Sequence, residues 1–356
     1  DDEAVRIAAI SSLEGSLKQE DRKRLISMLE QDDEGEYRER ETIVIAATAA
    51  LDKIDSRREF YEFIQTIFFG LGLGSVLVLA AIGLAITFGV MGVINMAHGE
   101  LIMLGAYTTY VVQLMMPNYI DYSLFVALPL AFMVSGLVGI GIQQGVIRFL
   151  QGRPLETLLA TFGVSLILQQ AVRSIFSPLN RSVSTPSWMS GVYEYNEVLS
   201  LTLNRLYIIA FTLMVLFALM AILKKTSLGL QVRAVAQNRN MARAVGIRSG
   251  WVDAMTFGLG SGIAGVAGVA LSQLTNVGPN LGQSYIVDSF MVVVFGGVGN
   301  LWGPLLAGEI LGVLNPFLAP QTRAVLAKIL ILIFIILFIQ RRPRGLFPQK
   351  GRAAES

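Results

Sequence analysis

The feature that most constrains this chain is the length of its apolar runs. Residues 66–90 form a run longer than the roughly 20 apolar residues that a helix needs to cross a bilayer. The run ends at a polar island of Asn95, His98 and Glu100, after which apolar sequence resumes. Polar groups at membrane depth are costly and usually face a cavity or a pathway. The run therefore predicts a membrane helix, and the island calls for a physical explanation.

Composition places the chain among integral membrane proteins and divides it in two. Hydrophobic residues make up 53% of the sequence and charged residues 15%, whereas soluble domains carry about 25% charged residues. Residues 1–62 are acidic, and the remaining chain has an excess of Lys and Arg. There is no cysteine, which excludes disulfides and thiol chemistry. We therefore expect an acidic soluble head and a basic membrane body.

The head shows an internal repeat. The segments that begin at Glu3 and Glu41 share Glu, Ile, Ala, Ala and Leu in register, and residues 21–29 between them form a second amphipathic stretch. A period of about 40 residues with paired amphipathic helices favours a HEAT-like helical head. Because such repeats usually need at least three units, we expect further repeats upstream of residue 1.

The rest of the chain predicts an all-α, polytopic transmembrane bundle of about 8–10 spans. The predicted spans are 66–90, 100–116, 124–147, 157–177, 206–223, 252–275, 284–298, 302–318 and 323–340. The pair 284–298 and 302–318 is short and separated by glycines, which indicates short or re-entrant helices. Small-residue pairs within the spans predict close helix packing: Gly70/Gly74, Gly141/Gly145, Gly258/Gly262 and Gly308/Gly312. The expected domains are a head (1–60), a membrane domain (61–345) and a tail (346–356).

The distribution of Lys and Arg predicts the orientation. The loop 224–250 and the tail are both rich in Lys and Arg, and such segments stay in the cytoplasm. Counting back through the spans places the head on the outside. The C-terminus is then cytoplasmic.

Several function classes are excluded by missing motifs. The sequence contains no Gly-x-x-x-x-Gly-Lys-Ser/Thr, so no nucleotide is bound through a P-loop. One histidine and no cysteine argue against a zinc site. An intramembrane serine hydrolase would have to use Ser165 and His98, and Ser165 lacks the glycine context of such a nucleophile.

The loop 224–250 contains an amphipathic helical run, 226–247, that ends at Gly246. Its spacing is equally compatible with a helix lying on the membrane surface and with one docked in the groove of a partner.

Three separated motifs in the membrane body resemble the permeases of branched-chain amino-acid ABC importers. The motifs are Asn95-Met-Ala-His-Gly-Glu-Leu101 with Gly105-Ala-Tyr107, Arg233-Ala-Val-Ala-Gln-Asn238 with Ala242 and Gly246-Ile247, and Phe290-Met-Val-Val-Val-Phe-Gly-Gly-Val-Gly-Asn-Leu-Trp-Gly-Pro304. The resemblance covers residues 66 to about 345. The additional helical head resembles the urea branch of this family, the urea permease B subunit.

This resemblance implies a transport subunit of the bacterial inner membrane, and not an enzyme. It implies two cytoplasmic ATPase subunits, a second related permease and a periplasmic solute-binding protein as partners. ATP and Mg would be bound by the ATPases, with no cofactor in this chain. The expected solute is urea; branched-chain amino acids or short amides are the alternative. A passive small-solute channel is the alternative from another class, although a channel has no need of an ATPase-docking helix.

The resemblance and the polar residues of the spans together predict two sets of functional residues. For Asn95, His98 and Glu100, a pathway or gate and a purely structural role, in which Asn95 caps the next helix, both remain open. Residues expected along the translocation pathway or gate are Asn95, His98, Glu100, Asn276, Asp288, Asn300 and Glu309. Residues expected to couple to the ATPase are Arg233, Ala234, Asn238, Ala242, Gly246 and Ile247. No catalytic residue and no metal ligand is predicted.

Overall fold

The computed structural model describes residues 3–30, 37, 39–322, 324–343 and 345–347. Over these residues the fold is mostly helical, which confirms the predicted all-α class. The helices are α1 (Glu3–Leu13), α2 (Gln19–Ser27), α3 (Glu41–Met91), α4 (His98–Met115), α5 (Ile120–Gly145), α6 (Pro154–Phe176), α7 (Leu203–Lys225), α8 (Ser227–Gln237), α9 (Arg239–Ala244), α10 (Ser249–Ser272), α11 (Leu281–Gly296), α12 (Trp302–Thr322) and α13 (Ala324–Arg341). Two short strands, β1 (Val192–Glu194) and β2 (Ser200–Thr202), form an antiparallel hairpin.

Each predicted membrane segment lies on a helix of the structure. In the described part of the chain, α3, α5, α6, α7, α10 and α12 are long and apolar enough to cross a membrane, and α11 is a shorter apolar helix. The prediction of a short pair at 284–298 and 302–318 is therefore half correct. Only α11 is short, at 16 residues, because α12 continues for 21 residues through Pro316 and Pro320.

One compact unit contains the residues up to Phe69 together with the hairpin segment Val192–Leu203. Its core is formed by apolar side chains of α1, α2 and α3, with Ile10, Leu25 and Ile54 almost fully buried. Salt bridges on its surface join the helices and the loop between them, as in the contact of 2.7 Å between Arg22 Nε and Asp55 Oδ1.

The sequence repeat of the head corresponds to helices that begin in register. Glu3 is the first residue of α1 and Glu41 is the first residue of α3. Leu13, the last residue of α1, is equivalent to Leu51, which lies inside α3 because α3 continues to Met91. A HEAT-like classification of this unit stays a prediction.

The second compact unit contains Gly70–Gly191 and the chain from Asn204 onwards. Its central element is α10, which is buried along nearly its whole length and packs mainly against α4 and α5. Buried apolar residues of α4, α5 and α10, among them Leu101, Ala131 and Phe257, belong to one core cluster.

Glycines allow α10 to approach its neighbours at backbone distance. A Cβ added at Gly260 would lie 2.6 Å from the carbonyl oxygen of Gly83 in α3, and one at Gly265 would meet Ala131 and Ser135 of α5. Gly105 of α4 faces the backbone of Gly265. Helices in lipid associate through such small-residue contacts, because burial of apolar surface supplies no driving force there.

The predicted glycine pairs have different outcomes. The pair Gly70/Gly74 of α3 contacts α12, and the pair Gly308/Gly312 of α12 contacts α3. Both pairs therefore pack closely, as predicted. Gly258 and Gly262 meet Ile140 and Phe132 of α5. For Gly141 and Gly145 the prediction is wrong, because an added Cβ would meet nothing within 4 Å at either position.

The chain turns between α11 and α12 at two glycines with left-handed backbone conformations, Gly297 (φ 92°) and Gly299 (φ 93°). Side chains with a Cβ rarely adopt this conformation. The predicted tail, 346–356, lies outside the described residues except for Leu346 and Phe347. These two residues donate backbone hydrogen bonds to Phe295 and Gly296 at the end of α11.

Candidate functional site

The polar island is the break between α3 and α4. The helix α3 ends at Met91, and the next helical residue is His98. The side-chain oxygen of Asn95 accepts a hydrogen bond of 3.0 Å from the backbone N–H of Ala97. Ala97, and not Asn95, is the N-cap residue of α4. The N-cap role considered for Asn95 is therefore wrong, because its side chain closes a turn just before the first residue of α4. Glu100 lies in the first turn of α4, as predicted.

Each polar side chain of the island is buried. Asn95 and His98 are 0% exposed and Glu100 is 1% exposed. The Nε2 atom of His98 lies 2.9 Å from the carbonyl oxygen of Ala80 in α3. The island therefore faces other helices in this structure, and not an open passage.

One of the helices that face the island is α6. The hydroxyl of Ser165 donates a hydrogen bond of 3.0 Å to Oε1 of Glu100. The backbone N–H of Met96 donates to the hydroxyl of Thr161, one turn earlier on α6, at 3.1 Å. These two contacts join the break to one face of α6. Ser165 therefore bonds to Glu100 and His98 to Ala80, so Ser165 and His98 do not form the Ser–His pair of a hydrolase.

The other predicted pathway residues lie in separate places. Asp288 of α11 forms a salt bridge with Lys328 of α13, with 3.0 Å between Oδ2 and Nζ. Glu309 of α12 accepts a hydrogen bond of 3.0 Å from the hydroxyl of Ser75 in α3. The structure therefore does not bring either carboxylate together with Glu100.

The two predicted asparagines outside the island are on loops. Asn276 is exposed in the segment between α10 and α11. The side-chain oxygen of Asn300 accepts a hydrogen bond of 3.1 Å from the backbone N–H of Trp302, the first residue of α12. Asn300 also lines a cavity of about 300 Å³ together with Arg233 and Val232 of α8. A predicted pathway residue and a predicted coupling residue therefore share one cavity.

The predicted coupling segment is two helices, and the single helical run expected over 226–247 is wrong. The first helix, α8, ends at Gln237, and Asn238 then adopts an extended conformation (φ −151°). Its side chain caps α9 by accepting a hydrogen bond of 3.0 Å from the backbone N–H of Met241. Asn238 has this effect because a short amide can replace the missing intrahelical partner at a helix start.

The ends of the coupling segment have clear roles in the local structure. Ala242 is buried, with 3% of its surface exposed, and Ile247 packs against the same apolar cluster. Gly246 follows α9 with φ of 90°, the left-handed conformation that ends helices. Arg233 is exposed, and its guanidinium donates to the carbonyl of Leu223 at the end of α7. Ala234 packs on the apolar cluster of the segment.

An ion pair that sequence reasoning missed joins α9 to α10, with its carboxylate buried and its guanidinium partly exposed. The guanidinium of Arg239 makes two hydrogen bonds to the carboxylate of Asp253, of 2.7 and 2.9 Å. The amide of Gln151, from the loop before α6, donates to the same carboxylate at 2.9 Å. The carboxyl side chain of Asp253 is 1% exposed. A charge at this depth is stabilised only when it is paired and hydrogen-bonded, as it is here.

The other group of residues that sequence reasoning missed is the polar face of α6. Along α6 the buried residues are Thr157, Thr161, Ser165, Gln169 and Val172. Polar residues at every fourth position of an apolar run were a visible signal, since residues four apart share one helix face. Among the described residues, no group of His, Cys, Asp or Glu side chains could hold a metal ion.

The fold and the site together define a class of protein. Several helices of membrane length pack around a glycine-rich central helix, and a charged helical segment, α8 and α9, follows one of the spans. These features describe a helical, multi-pass membrane protein.

The chain belongs to the family of branched-chain amino acid transport system permease components, whose model matches residues 66–339. It is therefore a permease subunit of an ABC transporter and not an enzyme. As such a subunit it carries no cofactor, and ATP acts on partner ATPases.

Curated relatives agree with this assignment. The chain is 30% identical over 302 residues to the high-affinity branched-chain amino acid permease protein BraD of Pseudomonas aeruginosa, which covers 81% of this chain and 96% of BraD. It is 31% identical to the corresponding protein LivH of Escherichia coli, over 78% of this chain and 95% of LivH. A ribose import permease, RbsC of Bacillus subtilis, is 32% identical over 30% of this chain. No solved structure matches the chain significantly.

Proposed function

We propose that this chain is the permease subunit of an ATP-driven importer that moves urea across the bacterial inner membrane. The observation that carries the choice of solute is the head. The family model begins only at residue 66, and BraD is covered almost completely by an alignment that leaves part of this chain unmatched. An added helical head resembles the urea branch of the family, in which it would be HEAT-like and periplasmic.

The chemistry of the island supports a neutral solute. Its side chains offer an amide, an imidazole and a carboxylate beside the hydroxyls of α6. Urea is small and uncharged, and it needs hydrogen-bond donors and acceptors. An amino acid at neutral pH would need groups that match both its ammonium and its carboxylate. Asn95, His98 and Glu100 would then form an inner gate, closed in the present conformation.

The proposed machine contains two cytoplasmic ATPases, a second related permease and a periplasmic binding protein that confers selectivity. The C-terminus and the loop 224–250 would be cytoplasmic, because Lys and Arg concentrate there. The segment of α8 and α9 would receive the motion of the ATPase through Arg233, Ala234, Asn238, Ala242, Gly246 and Ile247. The pathway would also include Asn276, Asp288, Asn300 and Glu309.

Uptake by the complete complex in proteoliposomes tests this proposal. We expect ATP-dependent uptake of labelled urea that exceeds uptake of labelled leucine when the cognate binding protein is supplied. Uptake of leucine but not urea would contradict the choice of solute. Urea flux that is unchanged without ATP would contradict the importer and favour a passive channel.

Branched-chain amino acids are the second candidate solute. The observation in their favour is that the relatives BraD and LivH are named as branched-chain amino acid permeases. The same uptake assay decides between the two solutes, because it measures them side by side on one preparation.

A further inference from the structure

Two polar contacts join α9 to the start of the central helix α10. The guanidinium of Arg239 donates to both carboxylate oxygens of Asp253, at 2.7 and 2.9 Å. One turn later on α9, Nε of Arg243 donates a hydrogen bond of 2.8 Å to the hydroxyl of Ser249, the first residue of α10. Because residues four apart share one helix face, the two contacts lie side by side between one face of each helix. We name these two contacts the α9–α10 ladder.

The acceptor side of the ladder is buried. The side chain of Asp253 is 1% exposed, and Ser249 is 5% exposed. The amide of Gln151, between α5 and α6, donates a further hydrogen bond of 2.9 Å to the same carboxylate. The carboxylate of Asp253 therefore ties both α9 and the α5–α6 connection to α10 at one point.

The turn between α9 and α10 is closed by its own backbone. The N–H of Ile247 donates to the carbonyl of Ala242 and the N–H of Gly246 to that of Arg243, each at 3.0 Å. Gly246 has the left-handed conformation that commonly ends a helix in this way. Apolar residues of similar volume are often at least as stabilising as a buried ion pair. Local stability therefore does not by itself explain the charged contacts of the ladder.

Directional bonds can transmit a movement that apolar contacts do not. Val232 of α8, Ala242 of α9 and Val252 of α10 belong to one apolar cluster, but hydrophobic attraction is non-directional. A bidentate guanidinium–carboxylate pair fixes both the distance and the orientation of its two groups. Further along α10, Gly260 and Gly268 approach the backbones of α3 and α4. A displacement of the first turns of α10 would therefore be passed to the centre of the bundle.

We propose that the α9–α10 ladder is the link through which ATP-driven movement of α8 and α9 reaches the central helix α10. Arg239 and Arg243 are positioning residues, because they act through α10 and not on ATP or the solute. This inference rests on the proposed docking of α8 and α9 on the ATPases, and it names the point at which the movement enters the bundle. It does not depend on which solute is carried.

A double variant separates transmission from stability. Arg239→Met with Asp253→Leu removes both charges together, so no buried charge is left unpaired and the free energy of unfolding should stay close to that of the wild type. In proteoliposomes that contain the complete complex, the solute imported per ATP hydrolysed should fall at least about fivefold, the lower end of typical coupling between sites. ATP hydrolysis and co-purification of the ATPases should persist.

An exposed ion pair at the start of α6 provides the matched control. Arg153 and Glu156 lie 3.1 Å apart, with side chains that are 67% and 54% exposed. Arg153→Met with Glu156→Leu should leave import per ATP unchanged. Wild-type import per ATP in the folded Arg239→Met/Asp253→Leu variant would overturn the proposal, because the ladder would then serve stability alone. Loss of the ATPases from that folded variant would also overturn it, because the ladder would then serve docking.

A single variant decides the case if the double variant does not fold. Arg243→Met breaks one contact of the ladder and leaves only a neutral hydroxyl behind, so the protein should fold. Import per ATP should fall about twofold, the effect of one weak hydrogen bond. Hydrogen–deuterium exchange of residues 249–256 should differ between the ATP-free complex and the complex trapped with ATP and vanadate, and Arg243→Met should reduce that difference. An equal difference in the variant and the wild type would overturn the ladder as a link.

The outcomes separate the ladder from the choice of solute. Labelled urea and labelled leucine are both supplied, and import per ATP is measured with the solute that the wild-type complex takes up. Import of leucine and not urea would contradict the proposed solute and still test the ladder. ATP-dependent import by the wild type without any ATP-dependent change in exchange at residues 249–256 would overturn the ladder alone.

Discussion

The helices α6 and α10 have nearly the same length but bury opposite kinds of residues. An apolar stretch of 18 residues is 89% buried in α10 but only 28% buried in α6. The buried face of α10 is rich in glycine and alanine, whereas that of α6 is mostly hydroxyl and amide groups. Burial inside this membrane bundle therefore serves two purposes. α10 is buried to hold the bundle together, and α6 turns inward the groups that lipid cannot solvate.

The largest expected effect comes from a large side chain at a close approach of α10. A Cβ at Gly268 would meet the carbonyl of Ile102 and would lie 2.7 Å from the backbone nitrogen of Ala106. Gly268→Leu should therefore cost more than the 1–3 kcal/mol of ordinary overpacking and abolish folded protein. The yield of monodisperse protein in detergent measures this. The matched control on α6 is Gly163→Leu, since an added Cβ there meets nothing within 4 Å; equal loss of both variants would break the comparison.

The ion pair at the start of α10 should give the next largest effect. Arg239→Met leaves the carboxylate of Asp253, which is 1% exposed, with only Gln151 as a side-chain partner. We expect a loss of about 3 kcal/mol, the lower end for a broken buried pair. Chemical denaturation in detergent measures the free energy of unfolding. The exposed Arg248 provides the control, and Arg248→Met should unfold like the wild type.

Truncation of isoleucine should distinguish the two helices directly. Ile263 of α10 is 3% exposed, whereas Ile167 of α6 is 69% exposed. Ile263→Ala should destabilise the fold by about 2 kcal/mol through the cavity that it leaves. Ile167→Ala should change stability by less than about 0.5 kcal/mol. The same denaturation series measures both variants, and a larger effect at position 167 would contradict the assignment of its face.

The smallest effect is expected where α6 contacts α4. Ser165→Ala removes the donor to Glu100 and should cost about 1 kcal/mol of stability, the value of one hydrogen bond. Ser289 of α11 is a matched control because its hydroxyl bonds only within its own helix, to the carbonyl of Tyr285. Ser289→Ala should be nearly neutral. A loss at Ser289 as large as that at Ser165 would remove any special role for the interhelical bond.

Much of the fold could be predicted from the sequence because the signals are local. Apolar runs such as 66–90 and the glycines between α11 and α12 act over a few residues. The sequence could not predict which helices meet, so Gly141 and Gly258 looked equivalent, although only Gly258 faces another helix. The break at Asn238 was missed because a single capping side chain divides an otherwise continuous amphipathic run.

The candidate site was predicted less completely. The island of Asn95, His98 and Glu100 was visible as polar residues within apolar sequence. Its partner face on α6 was not recognised, because Ser165 and Thr161 lie 65 residues further along the chain from the groups that they contact. Asp253 was missed for another reason: its partner Arg239 is only 14 residues away but belongs to another helix.

The most direct test of the contrast between α6 and α10 is a cysteine scan of both helices in the complete complex. During ATP turnover, we predict that a cationic thiol reagent modifies α6 with a period of four, at positions 157, 161, 165 and 169. The same reagent should leave positions 260 to 270 of α10 unmodified. Modification of α10 with α6 unreactive would contradict the account, because it would show that water reaches the central helix and not the polar face of α6.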